Sequence, residues 1–316
     1  MILQAEKPVR FFGEGAGVIV ISFQDQSYKK SVDGQWVVEI PAQPYGGPMD
    51  VTIHLNGDKK ILKDVAFGDV YLCAGQSNMQ FTIDEEVDTT PIMDDEKIRY
   101  FVTDRVESYE GLKSIDGWKV CKANEVGGWS ALGLHIAQNM RRKKDVYVGI
   151  VGCFQGASVI QSWMPERKLD DSVDVPTGAR HGDRTDRLYS QWNGDSVLYK
   201  YTFLPIVPFS FNSVIWYQGE SNTSVEEGKV YTELLSRMID AWREDLLDKD
   251  LPFVIIEICD FDVRNEDGWR AIQTCQQAIQ GIKVNVKTVT SKDVCESWQI
   301  HPGNKEKLAN KIAKVL

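Results

Sequence analysis

The stretch that decides the fold is Val70-Tyr71-Leu72-Cys73-Ala74-Gly75-Gln76-Ser77-Asn78-Met79. Residues 70–74 predict a buried strand that ends at Gly75, because short apolar runs bounded by glycine are typical of core strands. A strand, a tight glycine turn and a serine is the arrangement by which hydrolases present a hydroxyl at the end of a sheet. Ser77 is therefore a candidate nucleophile, and the alternative is an ordinary serine in a strand-to-helix turn. The segment is not a Gly-x-Ser-x-Gly elbow, and the sequence contains no such elbow elsewhere.

Apolar segments of the same kind recur along the chain and alternate with helical patterns. They cover residues 147–151, 213–217, 252–258 and 285–290. One amphipathic helix face has apolar residues at helical spacing, namely Tyr231, Leu234, Leu235, Met238, Ile239 and Trp242. The alternation of strands and helices predicts an α/β fold, with a mainly parallel sheet covered by helices on both faces.

The N-terminal part of the chain has a different pattern. Strand-like segments at 18–23, 36–40 and 51–55 are separated by turn residues, including 46–48 and a predicted hairpin turn at 56–58. Residues 1–66 therefore predict a small antiparallel β unit before a catalytic domain over 67–316. The alternative is a few extra strands packed on the main sheet.

Two other predicted strands end, like 70–74, in small or amide-bearing residues. The segment 213–217 leads into Gln218-Gly219-Glu220-Ser221-Asn222, and 147–151 leads into Gly152-Cys153-Phe154-Gln155-Gly156-Ala157-Ser158. Because ligands bind at the carboxyl ends of strands in open α/β sheets, we expect these three ends to form one site.

A serine nucleophile needs a base, and the chain has four histidines. His54 lies in an alternating strand, His135 in a predicted helix, and His181 in a polar loop. His301 precedes Pro302 just before the last helix, and the proline keeps this position out of regular structure. We therefore predict that His301 is the base, reaching Ser77 from a loop.

Composition excludes several classes of function. The 316 residues carry a net charge of −10, which argues against nucleic acid as a partner, and no apolar run is long enough to span a membrane. The six cysteines form no CxxC pair and no metal-ligand spacing, so we expect reduced core residues and no metal.

With no signal peptide visible, the chain is expected in the cytoplasm, or to be secreted if a leader was removed. The polar segment 164–197 is expected to shape a substrate cleft.

Three segments resemble the motif blocks of the sialate O-acetylesterase group of SGNH hydrolases, in the same order. They are Gly75-Gln76-Ser77-Asn78-Met79, Trp216-Tyr217-Gln218-Gly219-Glu220-Ser221-Asn222 and Ile300-His301-Pro302. The similarity covers nearly the whole chain, including 204–208 and 269–276, where Gln273 replaces the usual arginine. It implies a three-layer α/β/α, flavodoxin-like SGNH-hydrolase fold.

The resemblance implies a role for each matching residue. Ser77 would be the nucleophile and His301 its general base. The oxyanion hole would use the backbone N–H groups of Ser77 and Gly156, and a side-chain amide from either Gln218 or Asn222. No cofactor is implied.

The acid of the family's motif is missing. Family members commonly have Asp-Ile-His-Pro, whereas Gln299 precedes Ile300-His301 here and Trp298 lies three residues before the histidine. Glu296, the carbonyl of Trp298 or the amide oxygen of Gln299 can take the acid's place in orienting the imidazole. We favour a Ser77–His301 dyad assisted by Glu296 or a carbonyl.

The substrate implied by the resemblance is an acetylated carbohydrate. Gln76, Glu220 and Trp298 are expected to contact it, Trp298 as an aromatic surface for a sugar ring. The sequence carries no indication of oligomeric state. Two alternatives stay open: an esterase for another small acyl ester, and a carbohydrate-binding protein with weakened catalysis.

Overall fold

The computed structural model describes residues 1–106, 117–169, 192–263 and 266–316. The strands of these parts are β1 (Ile2–Gln4), β2 (Val9–Glu14), β3 (Gly17–Phe23), β4 (Gln26–Val32), β5 (Gln35–Ile40), β6 (Gly46–Leu55), β7 (Asp58–Gly75), β8 (Asp95–Val102), β9 (Lys119–Cys121), β10 (Val148–Phe154), β11 (Ser213–Tyr217), β12 (Phe253–Glu257) and β13 (Val286–Thr290). The helices are α1 (Ser77–Gln80), α2 (Ala131–Lys143), α3 (Val225–Asp245), α4 (Glu266–Ile282) and α5 (Glu306–Ala313).

A mixed sheet with a parallel centre forms the body of the protein. The strands follow the order β13-β12-β11-β7-β10-β8-β9, and all neighbours are parallel except β9, which pairs antiparallel with β8 at the edge. The five strands predicted from apolar segments are all present. The chain order reverses beside β7, since β10 lies on one side of it and β11 on the other. Ligands bind at such a switch point in open α/β sheets.

The helices cover the sheet in two pairs, α3 with α4 and α2 with α5. The predicted apolar face of α3 is buried along its length, from Tyr231 to Trp242. Ser224 caps the start of α3 in a reciprocal arrangement with Glu227. The Trp242 ring stacks on Phe203 and meets Trp216 of β11 edge-on, so the helix is fixed against the sheet by aromatic packing. The α/β prediction is confirmed.

The N-terminal strands are mostly antiparallel and enclose a second apolar cluster. The predicted hairpin at 56–58 joins β6 to β7, with Asn56 and Gly57 at positive φ. The predicted turn at 46–48 is wrong, because these residues begin β6 and meet β7 with an irregular register. β7 runs without interruption across the predicted domain boundary at residue 66, so one strand serves both parts.

The predicted cleft-shaping segment, 164–197, falls mostly outside the described residues, and so does His181. His54 is exposed on β6, and His135 is buried on α2 beside Glu86, as the sequence predicts for non-catalytic histidines. Over the described ranges, none of the helices is both long and apolar enough to cross a membrane.

Gly75→Ala tests the junction between β7 and the serine turn. Gly75 has φ +137°, and a Cβ there would lie 2.1 Å from the Tyr217 carbonyl oxygen. We expect the free energy of unfolding to fall by about 2–4 kcal/mol in urea denaturation, because both the backbone conformation and the space exclude a methyl group. Gly281→Ala, near the end of α4 with open space around it, is the control and should be neutral or slightly stabilising. Equal stability of both variants would contradict this reading.

Candidate active site

Ser77 and His301 meet at the carboxyl end of the sheet. Ser77 is the first residue of α1, directly after β7, and its side chain is half-buried. Its Oγ lies 2.8 Å from Nε2 of His301, although the two residues are 224 positions apart in the chain. This is the separation at which a histidine accepts the proton of a serine hydroxyl. The predicted nucleophile–base pair is therefore brought together.

The serine turn is held by the neighbouring strand ends. The Gln76 N–H donates to the carbonyl of Tyr217, the last residue of β11. The N–H of Gln155, just after β10, donates to the carbonyl of Gly75, the last residue of β7. The side-chain oxygen of Gln76 accepts from the Gly219 N–H at 3.2 Å. The three strand ends converge as predicted. Gln76, which the sequence predicted to contact substrate, is buried, and its side-chain oxygen binds the loop after β11.

A buried polar cluster that the sequence patterns did not predict lies next to the serine–histidine pair. Asn78 is 0% exposed and donates to Glu220 Oε1 at 2.6 Å and to the Ile300 carbonyl at 2.9 Å. Its Oδ1 accepts from Lys305 Nζ at 2.6 Å. Glu220, predicted to bind substrate, is 3% exposed and serves this cluster instead. Lys305 directly precedes α5, and nothing in its sequence setting marked it as buried.

The imidazole of His301 is kept neutral by its surroundings. Partial burial, together with the Lys305 ammonium, lowers its pKa below the ordinary value, and Glu85 opposes this effect. Burial also lowers the pKa of Lys305 to about 8. A histidine with a lowered pKa is unprotonated at neutral pH, so it is ready to accept a proton.

None of the three predicted orienting groups contacts the imidazole. In the described part of the chain, His301 hydrogen-bonds only to Ser77, and Glu296 is an exposed carboxylate without a side-chain partner. The amide oxygen of Gln299 accepts from the Gly303 N–H at 3.3 Å instead. Trp298 is 64% exposed, so its ring is available to a ligand while its carbonyl does not bind Nδ1. The structure does not bring Glu296 to His301.

Gly156 lies where an oxyanion donor is expected. A Cβ on Gly156 would be 3.7 Å from the Ser77 Cβ, which places the loop after β10 against the nucleophile. The Gly156 N–H donates to the side-chain oxygen of Gln80 at 2.8 Å. An oxyanion can therefore reach this N–H only by replacing the Gln80 oxygen.

The two predicted oxyanion amides are both used inside the protein. The Gln218 Nε2 group donates to the Ser158 carbonyl at 2.9 Å and to Asn222 Oδ1 at 2.8 Å. The Asn222 Nδ2 group donates to Gln161 and to Glu227, at 3.0 and 2.9 Å. Both side chains are fully buried, and the N–H groups of both amides are used in these contacts within the protein. They join the loops after β10 and β11 to the start of α3.

Gln273, at the position where the family usually has arginine, supports the end of β12. Its Nε2 donates to the carbonyls of Ile258 and Cys259 and to Asp260, at 2.9–3.2 Å. It also lines a cleft of about 770 Å³ beside the loop that carries His301, which includes Trp269 and Ser297 but neither member of the pair.

Metal-ligating side chains are not grouped in the described residues, where no cluster of three or more His, Cys, Asp or Glu is placed to hold an ion. The six cysteines are unpaired, and all but Cys295 are buried, as predicted for core residues.

Gln218→Ala separates a structural amide from a catalytic one. We expect the free energy of unfolding to fall by about 2–4 kcal/mol in urea, since the change leaves the buried Ser158 carbonyl and the Tyr231 hydroxyl without this partner. Gln280→Ala, an exposed amide on α4, is the control and should change stability by less than about 0.5 kcal/mol. Unchanged stability with lost activity would mean that Gln218 donates to the oxyanion and is not a structural amide.

Known proteins that are similar to this chain include two sialate O-acetylesterases. The sialate O-acetylesterase of Mus musculus is 24% identical over 90% of this chain and 63% of its own length, and that of Homo sapiens is 24% identical over 90% and 60%. The chain thus spans about three-fifths of these two curated relatives.

Among solved structures, a carbohydrate acetylesterase from Xanthomonas citri matches with a TM-score of 0.82 and 27% identity, over 99% of this chain and 71% of that one. A protein from Arabidopsis thaliana shares the fold at a TM-score of 0.51 and 18% identity, over 78% and 97% of the two chains. Residues 67–315 match the sequence profile described as carbohydrate esterase, sialic acid-specific acetylesterase. The resemblance seen in the sequence is confirmed, and the chain belongs to the sialic acid-specific acetylesterase family of carbohydrate esterases.

Proposed function

We propose that this protein is a serine esterase that removes O-acetyl groups from a carbohydrate, sialic acid or another acetylated glycan, through an acetyl-enzyme intermediate. The observation that carries the proposal is the 2.8 Å contact between Ser77 Oγ and His301 Nε2 at the switch point of the sheet. Membership of the family supports the reaction class. A three-layer SGNH-type arrangement around the parallel strands is part of the proposal.

In the first half of the reaction, His301 Nε2 takes the proton of Ser77 while Oγ attacks the acetyl carbonyl. The tetrahedral oxyanion replaces the Gln80 side-chain oxygen at the Gly156 N–H, and the Ser77 N–H is the second donor. When the intermediate collapses, His301 gives the proton to the departing sugar oxygen. The acetyl group then remains on Ser77.

In the second half, water enters the place of the sugar. His301 takes a proton from this water, the hydroxide attacks the acetyl carbonyl, and the second tetrahedral intermediate releases acetate as Ser77 recovers its proton. No metal or organic cofactor takes part in this scheme. Because the pKa of His301 is lowered, a larger share of the base is neutral at mildly acidic pH than for an ordinary histidine.

The substrate assignment follows from the relatives and from one exposed ring. Trp298 lies three residues before His301 and is mostly exposed, which fits a platform for the apolar face of a sugar. The names of the curated relatives favour an acetylated sialic acid, and the bacterial structure favours a wider range of acetylated carbohydrates. The free cysteines favour a reducing compartment, so we place the activity in the cytoplasm.

A binding protein without catalysis is the second candidate. The missing acid is the only feature in its favour, whereas a pure binder has no need of a serine hydroxyl held against an imidazole. An esterase for another small acyl ester differs from the first candidate only in its acyl specificity. Comparing acetyl with butyryl esters separates these two esterase alternatives.

Ser77→Ala and His301→Ala should each lower acetate release from 4-nitrophenyl acetate and from acetylated sialic acid by about 10³-fold or more, because the two groups act as a unit. Ser27→Ala and His54→Ala, exposed residues of the N-terminal strands, are matched controls and should keep parental activity. Equal background rates in the parent and in Ser77→Ala, with saturable glycan binding, would favour the binding protein.

Glu296→Ala tests the predicted acid. We expect kcat/KM close to the parental value, since this exposed carboxylate does not hydrogen-bond to the imidazole. Loss of the acid from a serine triad costs roughly 10⁴-fold in kcat. A fall of that order in Glu296→Ala would mean that Glu296 reaches Nδ1 in the working enzyme.

A further inference from the structure

The cluster formed by Asn78, Glu220 and Lys305 joins the segments that carry the nucleophile and the base. Asn78 follows Ser77 directly, and its Nδ2 binds the carbonyl of Ile300, the residue before His301. The same side chain is fixed from two other directions, by Glu220 Oε1 and by Lys305 Nζ. These three hydrogen bonds are between 2.6 and 2.9 Å long, and the three side chains are at least 97% buried.

This cluster uses the whole hydrogen-bonding capacity of the Asn78 amide nitrogen. Its two N–H groups go to a carboxylate and a backbone carbonyl, and its oxygen faces an ammonium group. Hydrogen bonds to ionised partners are stronger than neutral ones, so Glu220 and Lys305 hold the amide plane in one orientation. The orientation of that plane sets where the Ile300 carbonyl, and hence His301, can lie.

We propose that Lys305 is a positioning residue that, through Asn78, places His301 against Ser77 by its backbone, and so takes over the task of the absent acid. This proposal rests on the proposed esterase function. In a serine triad the acid fixes the imidazole through Nδ1. Here the backbone before His301 is fixed instead, through the hydrogen bond from Asn78 to the Ile300 carbonyl. Lys305 directly precedes α5 and His301 lies in the loop before it, so one short segment supplies both the base and its support.

The charges around Lys305 explain how an ammonium is tolerated there. Glu220 and Glu86 face it, and the thiols of Cys295 and Cys259 lie near it; all four raise its pKa, while burial lowers it to about 8. The ring of Phe81 lies 4.6 Å from the ammonium, and that of Tyr217 5.9 Å. Aromatic faces attract a cation at these distances.

Lys305 also acts on His301 through its charge. Among the neighbouring charged groups, Lys305 lowers the pKa of the imidazole and Glu85 raises it. Removing the Lys305 charge should therefore raise the pKa of His301. Because the base works only when it is neutral, the acid limb of kcat/KM should then move to higher pH.

Two variants separate the charge from the hydrogen bond. Lys305→Met removes both, and we expect kcat to fall about 10- to 100-fold from misplacement of the base, with the acid limb moved to higher pH. Lys305→Gln keeps a donor for Asn78, so kcat should recover in part while the acid limb stays moved. Lys311→Met is the matched control on the same helix; Lys311 binds Asp293 and the Thr290 carbonyl, and its loss should leave the acid limb unchanged.

NMR titration of the histidines provides a readout that needs no catalysis. The chain has four histidines, and His301→Ala assigns the signal of His301. In the parent protein this signal should show a second, small inflection near pH 8, as Lys305 loses its proton. The inflection should persist in Cys295→Ser, which removes a neighbouring thiol of lowered pKa, and disappear in Lys305→Gln.

The outcomes are distinct. Folded Lys305→Met with parental kcat and an unmoved acid limb would overturn the proposal, and so would a parent titration without the inflection near pH 8, or one whose inflection disappears in Cys295→Ser. If Lys305→Met does not fold, the parent and Cys295→Ser titrations decide the question. If the parent releases no acetate from any ester, the proposed function fails, while the titration still decides whether Lys305 acts on His301.

Discussion

The side chain of Asn78 is the contact on which the site depends. It is the only described side chain that hydrogen-bonds at once to the loop after β11, the segment before His301 and the start of α5. A buried amide must satisfy its polar atoms, because each one left unpaired costs about 1–3 kcal/mol. The cost of leaving it unpaired therefore favours the one arrangement in which Ser77 and His301 meet.

The sheet determines where this contact can form. β7 and β11 are neighbours at the point where the chain order reverses, so the turns after them open toward the same edge. Gly75 allows the close approach, since its backbone lies against the Tyr217 carbonyl with no room for a Cβ. Packing of α3 and its tryptophan on the sheet then holds β11 in place. The position of the serine turn thus depends on close backbone packing between β7 and β11. The polar contacts of Asn78 then align Ser77 with His301.

Sequence patterns predicted the parallel strands, the α/β class and the Ser77–His301 pair, because each depends on local features: apolar runs, a glycine turn and a proline beside a histidine. The structure places four further predicted site residues in buried contacts within the protein, which the patterns did not predict: Gln218, Asn222, Glu220 and Gln76. Amides and carboxylates at strand ends look the same in sequence whether they face a ligand or a loop, and only tertiary contacts distinguish the two. The long N-terminal half of β7 was also missed, since its exposed polar residues carry no apolar run. Lys305 was passed over because a lysine near a helix start is normally solvated.

The most direct test of the account is reaction of the protein with a fluorophosphonate, followed by mass spectrometry to identify the modified residue in the parent and in His301→Ala. The account predicts one adduct per chain, on Ser77, formed far more slowly without His301, because the hydroxyl is a poor nucleophile until the imidazole accepts its proton. Modification of another residue, or equal rates in the two proteins, would contradict it.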